Sequence, residues 1–231
     1  MNVIPKLFVA IDQNDANKAK ELIQKLSPEM CGIKIGKELF TACGPEIIEW
    51  SQAKGFKIFL DLKYHDIPNT VSKACFAAAR MGVSILNVHA MGGIDMMLAA
   101  KEGVDKSNNN PYLIAVTLLT SMDAKVLKEI GLTSSVSDQV LNLAISAGQS
   151  GLDGIVCSAK DIPIIKNKLP ESFLYVTPGI RLSNSTKDDQ KRVATPFEAI
   201  EMGSNILVIG RPITQAINPK AVIKEIINGI S

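Results

Sequence analysis

Residues 57–90 read KIFLDLKYHDIPNTVSKACFAAARMGVSILNVHA and contain one complete strand–helix–strand unit. The apolar runs at 57–63 and 84–90 are nearly continuous in hydrophobicity, which is typical of strands buried on both faces of a parallel sheet. Between these runs, residues 68–81 have the apolar spacing of an amphipathic helix, with Pro68 at the start and Gly82 just beyond the end. This unit predicts the repeating element of the whole chain.

The same alternation continues along all 231 residues. Strands are expected at 7–12, 31–36, 57–63, 84–90, 112–120, 154–159, 173–180 and 205–212, and helices at 15–26, 45–54, 68–81, 94–105, 137–150, 160–168, 196–202 and 219–230. Eight such units predict a (β/α)8 TIM barrel, formed by residues 1–231 as a single domain. A doubly wound sheet would also alternate, but the first turn, at 12–15, lacks the G-x-G-x-x-G phosphate signature.

Composition excludes several functional classes. The 25 basic and 23 acidic residues give a net charge of +2, and aromatic residues make up 5%, so neither a nucleic-acid footprint nor stacking platforms are predicted. No apolar stretch approaches the roughly 20 residues of a membrane-spanning helix, and no secretory signal opens the chain. Four scattered cysteines without a C-x-x-C pair and two histidines argue against a metal centre and favour the cytoplasm.

Charged residues lie where the predicted strands end, and barrel enzymes place their sites at these ends. Asp61 and Lys63 are two positions apart on strand three, so both side chains should face the same side of the sheet. Asp12 follows strand one and Lys34 lies on strand two. Buried charges are costly unless they are paired, so four groups at one mouth predict either an active site or a salt-bridge plug that closes the barrel.

Each of the other polar residues near the strand ends has more than one possible role when it is considered alone. Asp66 precedes Pro68, a position that favours capping of the following helix. His65 is expected to be a structural hydrogen-bonding residue, and His89 is expected to be a positioned residue of the core or rim rather than the principal catalyst. Gly210 and Arg211 follow strand eight, where this fold frequently binds phosphate, although an arginine there can also pair with a neighbouring acid. Gln190 lies in a polar stretch at 181–195 that is a candidate lid.

The run DLKYHDIPNT, residues 61–70, closely resembles the orotidine 5′-phosphate decarboxylase family. The D-x-K-x-x-D core belongs to a wider group of barrel enzymes, and the trailing I-P-N-T narrows the resemblance to this family. Further matching segments are VAID (9–12), IKIG (33–36), LTSM (119–122), TPGIR (177–181) and IGRPI (209–213). The resemblance therefore extends over the whole chain.

This resemblance implies a homodimeric enzyme without metal or cofactor. It would convert orotidine 5′-monophosphate to uridine 5′-monophosphate and carbon dioxide in de novo pyrimidine synthesis. Lys63 would protonate C6 of the ring within a charged network with Asp61 and Lys34, and Asp66, Ile67 and Thr70 would complete the neighbouring subunit's site. The implied substrate-binding set is Asp12, Lys34, Asp61, Ile67, Thr70, Thr120, Ser121, Pro178, Arg181, Gln190, Gly210 and Arg211.

Three alternatives compete with this interpretation. Magnesium-dependent sugar-phosphate decarboxylases and aldolases of the same barrel group carry a metal-binding carboxylate where this chain has Lys34. A Schiff-base aldolase needs a lysine whose pKa is lowered, whereas Lys63 is flanked by Asp61 and Asp66. An inactive barrel would bind a phosphorylated ligand without turning it over.

Overall fold

The computed structural model describes residues 4–182 and 193–230. Within these ranges, eight parallel strands pair in chain order, and the last strand pairs with the first to close a barrel. The strands are β1 (Leu7–Ile11), β2 (Gly32–Gly36), β3 (Ile58–Tyr64), β4 (Ile85–His89), β5 (Tyr112–Val116), β6 (Gly154–Val156), β7 (Leu174–Thr177) and β8 (Ile206–Ile209). The prediction of a (β/α)8 TIM barrel is confirmed.

Helices connect these strands and pack around the barrel. They are α1 (Ala16–Gln24), α2 (Lys37–Cys43), α3 (Glu46–Ala53), α4 (Pro68–Arg80), α5 (Gly93–Asp105), α6 (Ala124–Glu129), α7 (Val136–Gln149), α8 (Ile162–Ile165), α9 (Pro196–Glu201), α10 (Arg211–Thr214) and α11 (Pro219–Gly229). Single 3-10 turns occur at Ala90–Gly92, Ala159–Asp161 and Lys166–Lys168. Among the described residues, no helix combines the length and the apolar character needed to cross a membrane.

The structure differs from the sequence-based element boundaries in two ways. Helix α2 was not predicted; it starts directly after Gly36, the last residue of β2. Several strands also end earlier than their apolar runs do: β5 ends at Val116 and β8 at Ile209, and Arg211 is already the first residue of α10. Apolar residues continue beyond the sheet because the connections that cover its end are also buried. Hydrophobicity alone therefore does not mark where strand pairing stops.

The barrel interior is filled by its own small apolar core, which consists of Phe8, Ala10, Phe59, Ile85, Ile114, Val176, Ile206 and Val208. The rings of Phe8 and Phe59 meet edge to face, with centroids 6.1 Å apart. A Cβ atom at Gly32 would lie 2.4 Å from the Phe8 ring, so this position on β2 has room only for glycine. Packed side chains thus close the barrel below, and a ligand can enter only from an end.

A second close approach joins helices α4 and α5. A Cβ atom at Gly103 of α5 would lie 2.2 Å from the backbone oxygen of Ser72 in α4, a distance that only a shift of the helices could relieve. Gly229, by contrast, ends α11 with no neighbouring atom within 4 Å of such a Cβ. The two glycines therefore offer a matched test of how tightly α4 is held.

We expect Gly103→Ala to lower the melting temperature by about 3–10 °C, because overpacking costs roughly 1–3 kcal/mol in a domain of this size. Gly229→Ala should leave the melting temperature unchanged or slightly raised, because alanine reduces the entropy of the unfolded chain. Thermal unfolding followed by circular dichroism measures both. Equal melting temperatures for the two variants would contradict the close packing of α4 on α5.

Candidate active site

A cavity of about 410 Å³ opens at the carboxyl ends of the strands. Its wall is built from strand ends and the loops that follow them, as expected for this fold. The lining residues are Ala10, Asp12, Lys34, Phe59, Asp61, Lys63, Val116, Leu118, Leu119, Thr120, Ser121, Val156, Cys157, Pro178, Gly179, Arg181, Val208, Gly210 and Arg211. The volume suits a small-molecule ligand, and charged and polar side chains from several strand ends share the wall with apolar ones.

Four charged side chains of alternating sign cross the cavity. Asp61 lies between two ammonium groups: its Oδ1 is 2.6 Å from Lys63 Nζ, and its Oδ2 is 3.1 Å from Lys34 Nζ. Lys34 Nζ is also 3.8 Å from Oδ1 of Asp12. The Asp12 side chain is 63% exposed, whereas those of Lys34 and Asp61 are each 11% exposed. The inner pair is thus largely removed from water, and the outer acid faces the opening.

The balance of forces on Asp61 keeps its carboxyl group ionised. Burial by itself would raise the pKa, but the ammonium groups of Lys34 and Lys63, with hydrogen bonds from Lys63 and Asn87, lower the pKa from 3.8 to about 2. The carboxylate is therefore charged at neutral pH, and it forms ion pairs with both lysines in the cavity.

The backbone of β3 is irregular at Lys63. Its φ is 52°, and among the described residues only Lys63 and Asn108 combine a side chain with a positive φ. The pairing of β3 with β4 shifts at the same place, from Leu60 opposite Leu86 to Tyr64 opposite Val88. A left-handed backbone costs a non-glycine residue about 1–3 kcal/mol and persists only where the surroundings hold it. The strand alternation that predicted Asp61 and Lys63 on one face is therefore not regular here, although both residues do line the cavity.

Gly210 and Arg211 line the same cavity after β8, the strand that pairs with β1, and Pro178 and Arg181 line it from the neighbouring connection. The peptide nitrogen of Arg181 donates to the carbonyl of Ala194 at 3.0 Å, which joins the two described ends of the polar stretch. Thr120 and Ser121 also line the cavity, after β5. Gln190, the remaining residue of the expected phosphate set, lies outside the described residues.

Asp66, Ile67 and Thr70 do not line the cavity of their own chain. The Asp66 carboxylate accepts a hydrogen bond of 2.6 Å from the peptide nitrogen of Ile67, and the Ile67 side chain is 66% exposed. Helix α4 starts at Pro68 without a side-chain cap, so Asp66 is not the cap that its position alone favours.

The two histidines pack together behind Lys63. The rings of His65 and His89 are stacked with centroids 5.5 Å apart, and His89 Nδ1 accepts a hydrogen bond of 3.3 Å from the Met91 peptide nitrogen. Burial, together with the electrostatic influence of His65, Lys63 and Lys37, lowers the pKa of His89 to about 4. His89 is therefore neutral near pH 7 and acts as an acceptor, in agreement with the structural role expected for it.

Asn87 lies in the middle of β4, and the sequence alone assigned it no role in the site. The structure brings its amide between the Lys63 backbone and the Asp61 carboxylate. A buried asparagine in an otherwise apolar strand is the signal that could have identified it, because a buried amide needs partners for both its donor and its acceptor. Within the described residues, no group of three or more His, Cys, Asp or Glu side chains could hold a metal ion.

Sequence comparison places the chain among well-defined relatives. A family model described as "Orotidine 5′-phosphate decarboxylase / HUMPS family" matches residues 5–226. The orotidine 5′-phosphate decarboxylase of Legionella pneumophila (strain Corby) is 49% identical over 227 residues, covering 98% of this chain and 99% of the relative. That of Idiomarina loihiensis (strain ATCC BAA-735 / DSM 15497 / L2-TR) is 51% identical over 227 residues, covering 98% of each chain.

Solved structures agree with the sequence comparison. The crystal structure of orotidine 5′-phosphate decarboxylase from Lactobacillus acidophilus superimposes with a TM-score of 0.89 and 39% identity, covering 99% of this chain and all 100% of that one. An uncharacterized conserved protein from Geobacillus kaustophilus superimposes with a TM-score of 0.87 and 36% identity, covering 97% and 100% of the two chains. The likeness therefore includes the whole barrel.

The charged network generates a prediction about acid stability. The pKa of Asp61 is lower in the folded protein, so its contribution to the free energy of unfolding is present above about pH 4 and is lost as the pH falls towards 2. Between pH 5 and pH 2.5, the wild-type protein should therefore lose about 1–2 kcal/mol more stability than Asp61→Asn does. Denaturant unfolding followed by circular dichroism measures this difference.

Glu21→Gln, a change at an exposed position on α1, is the matched control and should follow the wild-type protein at every pH. Parallel loss of stability in the wild-type protein and in Asp61→Asn would show that the carboxylate is not held by the two lysines.

Proposed function

This chain belongs to the orotidine 5′-phosphate decarboxylase / HUMPS family, and we infer that it converts orotidine 5′-monophosphate to uridine 5′-monophosphate and carbon dioxide. This reaction belongs to de novo pyrimidine synthesis. The relatives that are about half identical over nearly the full chain carry the decarboxylase name. We propose that the enzyme acts in the cytoplasm on its small-molecule substrate, without a nucleic-acid or membrane partner.

One observation carries this proposal. The Asp12–Lys34–Asp61–Lys63 network and Arg211 line the same cavity of about 410 Å³. An orotidine nucleotide has a carboxylated ring at one end and a phosphate at the other, and the cavity offers a lysine–carboxylate network and an arginine on different parts of its wall. The charge pattern of the cavity therefore suits both ends of this substrate.

Decarboxylation at C6 of the pyrimidine breaks the bond between C6 and the carboxyl carbon. Carbon dioxide leaves, and the bonding electron pair stays on C6 in the plane of the ring, where the ring π-system cannot delocalise it. We propose that the Lys63 ammonium group stabilises this pair and then transfers one proton to it, which forms the C6–H bond of the product. Solvent water then restores the proton on the lysine.

The neighbours of Lys63 support this role. Asp61, with its pKa lowered to about 2, stays ionised and holds the ammonium group 2.6 Å away. Repulsion between the Asp61 carboxylate and the substrate carboxylate would add ground-state destabilisation, a contribution whose weight in enzymes is contested. Fixed charges in a site that excludes water need no reorganisation during the reaction, and this is how such a site lowers the barrier.

Magnitudes indicate that Lys63 cannot act alone. Two unit charges at 4 Å interact by about 4 kcal/mol at an effective dielectric constant of 20, whereas enzymes lower barriers by roughly 8–23 kcal/mol. The remainder must come from binding energy at parts of the substrate that do not react. We propose that Gly210, Arg211 and Gln190 bind the phosphate, with Arg181 at the base of the segment that closes over it.

The other polar residues of the cavity are proposed to hold the nucleoside. Asp12 and Lys34 would bind the ribose hydroxyl groups, and Thr120 and Ser121 would face the pyrimidine, with Pro178 on the adjoining wall. Asp12 suits a hydroxyl because its carboxylate is largely exposed at the cavity opening, 3.8 Å from Lys34 Nζ. Neither this binding scheme nor the proposed chemistry uses a metal ion or a cofactor.

We also propose that two copies of the chain form a homodimer in which Asp66, Ile67 and Thr70 complete the partner's site. Two observations support this arrangement. The three residues follow Lys63 closely in sequence and yet do not line their own cavity. Ile67 is also a large apolar residue that is 66% exposed, so its side chain is available to a second chain.

The direct test is the ultraviolet absorbance of orotidine 5′-monophosphate mixed with the purified protein in excess EDTA. We expect the orotate chromophore to disappear with the wild-type protein. Lys63→Ala should lower kcat by at least about 1,000-fold, because the proton donor and its charge are both removed. The variant should still bind uridine 5′-monophosphate, which calorimetry measures.

Each outcome has a definite meaning. Equal turnover by Lys63→Ala and the wild-type protein would contradict the role of Lys63. Activity that appears only when magnesium is restored would favour the magnesium-dependent members of the barrel group and would contradict the metal-free reaction.

Mixing two inactive variants tests the shared site. Lys63→Ala and Asp66→Asn should each lose turnover as homodimers, but subunit exchange between them creates mixed dimers with one intact site. Random exchange at equal concentrations should then restore about one quarter of the wild-type activity, because half of the dimers are mixed and each has one working site. If no activity returns although exchange is verified by mass spectrometry, Asp66 does not act across the interface.

A further inference from the structure

Lys63 has a backbone donor that the sheet cannot satisfy. Between Leu60 opposite Leu86 and Tyr64 opposite Val88, β3 advances by four residues while β4 advances by two. Asn87 is the one residue of β4 between these two paired positions. The regular ladder of hydrogen bonds is therefore interrupted where Lys63 adopts its positive φ of 52°.

The Asn87 side chain bridges this interruption. Its Oδ1 accepts a hydrogen bond of 2.8 Å from the Lys63 peptide nitrogen, and its Nδ2 donates one of 2.7 Å to Oδ1 of Asp61. The orientation of the amide follows from its partners, because a peptide N–H can only donate and a carboxylate can only accept. Asn87 has no exposed surface and is not in the cavity wall, so it cannot touch a ligand.

The two hydrogen bonds of Asn87 act on the two groups that the proposed chemistry requires. The bond to the peptide nitrogen holds the left-handed backbone from which the Lys63 side chain starts. The bond to Asp61 Oδ1 fixes the carboxylate so that this same oxygen meets Lys63 Nζ at 2.6 Å while Oδ2 meets Lys34 Nζ at 3.1 Å. One amide thus fixes both the backbone from which the Lys63 side chain extends and the Asp61 carboxylate that is the counter-ion of its ammonium group.

We infer that Asn87 is a positioning residue for the decarboxylation, which acts by holding the Lys63 backbone and the Asp61 carboxylate in one fixed relation. The inference rests on the proposed function of the site. A displacement of about 1 Å in a reacting group can cost 100-fold in rate, so a residue that never touches the substrate can still control kcat.

Asn87→Asp provides a specific test, because its effect depends on protonation. A protonated carboxyl has the shape of the amide, and it can accept from the Lys63 N–H and donate to Asp61 as asparagine does. Once ionised, it keeps the acceptor but sets a second negative charge against Asp61 Oδ1. The titratable groups around the introduced carboxyl are Asp61 and Lys63 on β3, Lys34 on β2 and the His65–His89 pair, whereas β5 opposes position 87 with Ile114.

We therefore expect kcat of Asn87→Asp to approach that of the wild-type protein at low pH and to fall by about 100-fold as the pH rises, with KM changing by less than about threefold. Asn87→Ala should show a similar loss of kcat at every pH. Neither variant changes a residue that is proposed to bind the phosphate, so most of the substrate affinity is expected to persist.

Ser204→Ala is the matched control. Ser204 is buried, donates to Thr177 Oγ1 at 2.8 Å, and lies next to β7 and β8, across the barrel from β3 and β4. Removing the Ser204 hydroxyl also removes a buried hydrogen bond, but we expect the pH profile of kcat to keep the wild-type shape. Circular dichroism at each pH establishes that every variant is folded under the assay conditions.

The outcomes separate the inference from the function on which it rests. If the wild-type protein does not turn over the substrate, the proposed function itself is wrong. Turnover by the wild-type protein with equal kcat in the Asn87 variants, or a pH profile of Asn87→Asp parallel to that of the wild-type protein, would overturn the role of Asn87.

Hydrogen exchange in the wild-type protein gives a second measurement that does not require the variants to fold. The Lys63 amide should be protected as strongly as the paired amides of β3, because Asn87 holds it. Exchange of this amide at the rate of an exposed loop would also overturn the inference.

Discussion

The buried carboxylate of Asp61 is the group on which the site depends. Each of its oxygens meets a different ammonium group, at 2.6 Å on one side and 3.1 Å on the other. Two lysines that converge on a largely buried point would repel each other without it, and the cost of removing them from water would not be offset. Without the two ammonium groups, burial would raise the pKa of the Asp61 carboxyl group. The three charges therefore stabilise one another.

The barrel makes this arrangement possible because its strands have fixed neighbours. Lys34 and Asp61 lie on β2 and β3, which pair directly, and the phenylalanines Phe8 and Phe59 belong to the packed apolar core inside the barrel. Side chains that point inward above this apolar floor must meet one another or a ligand. The same closed order of strands brings Arg211 to the cavity, because β8 pairs with β1 and Arg211 follows β8.

The sequence predicted what depends on pattern and missed what depends on contacts. Buried strands and amphipathic helices repeat with a period that identifies the barrel, and the strand ends then identify Asp61, Lys63 and Arg211 as neighbours in space. The left-handed backbone of Lys63 could not be predicted from the sequence, because lysine has no preference for that conformation. The β3–β4 shift and the amide of Asn87 hold it there. Helix α2 was missed for a related reason: it follows β2 without a turn signal.

The count of charges suggests why the network contains two lysines. Before the proposed reaction, the four network side chains sum to zero and the substrate carboxylate adds −1. After carbon dioxide leaves and Lys63 has given its proton to C6, the network carries −1 and the ring is neutral. The total charge in the cavity is thus constant, so the step requires no charge to enter from solvent, where reorganisation would be costly. Lys34 is essential to this balance, because it still neutralises Asp61 at 3.1 Å when Lys63 no longer does. With one lysine, proton transfer from Lys63 would leave the buried Asp61 carboxylate without a counter-ion, and the penalty of several kcal/mol would fall on the proton-transfer step.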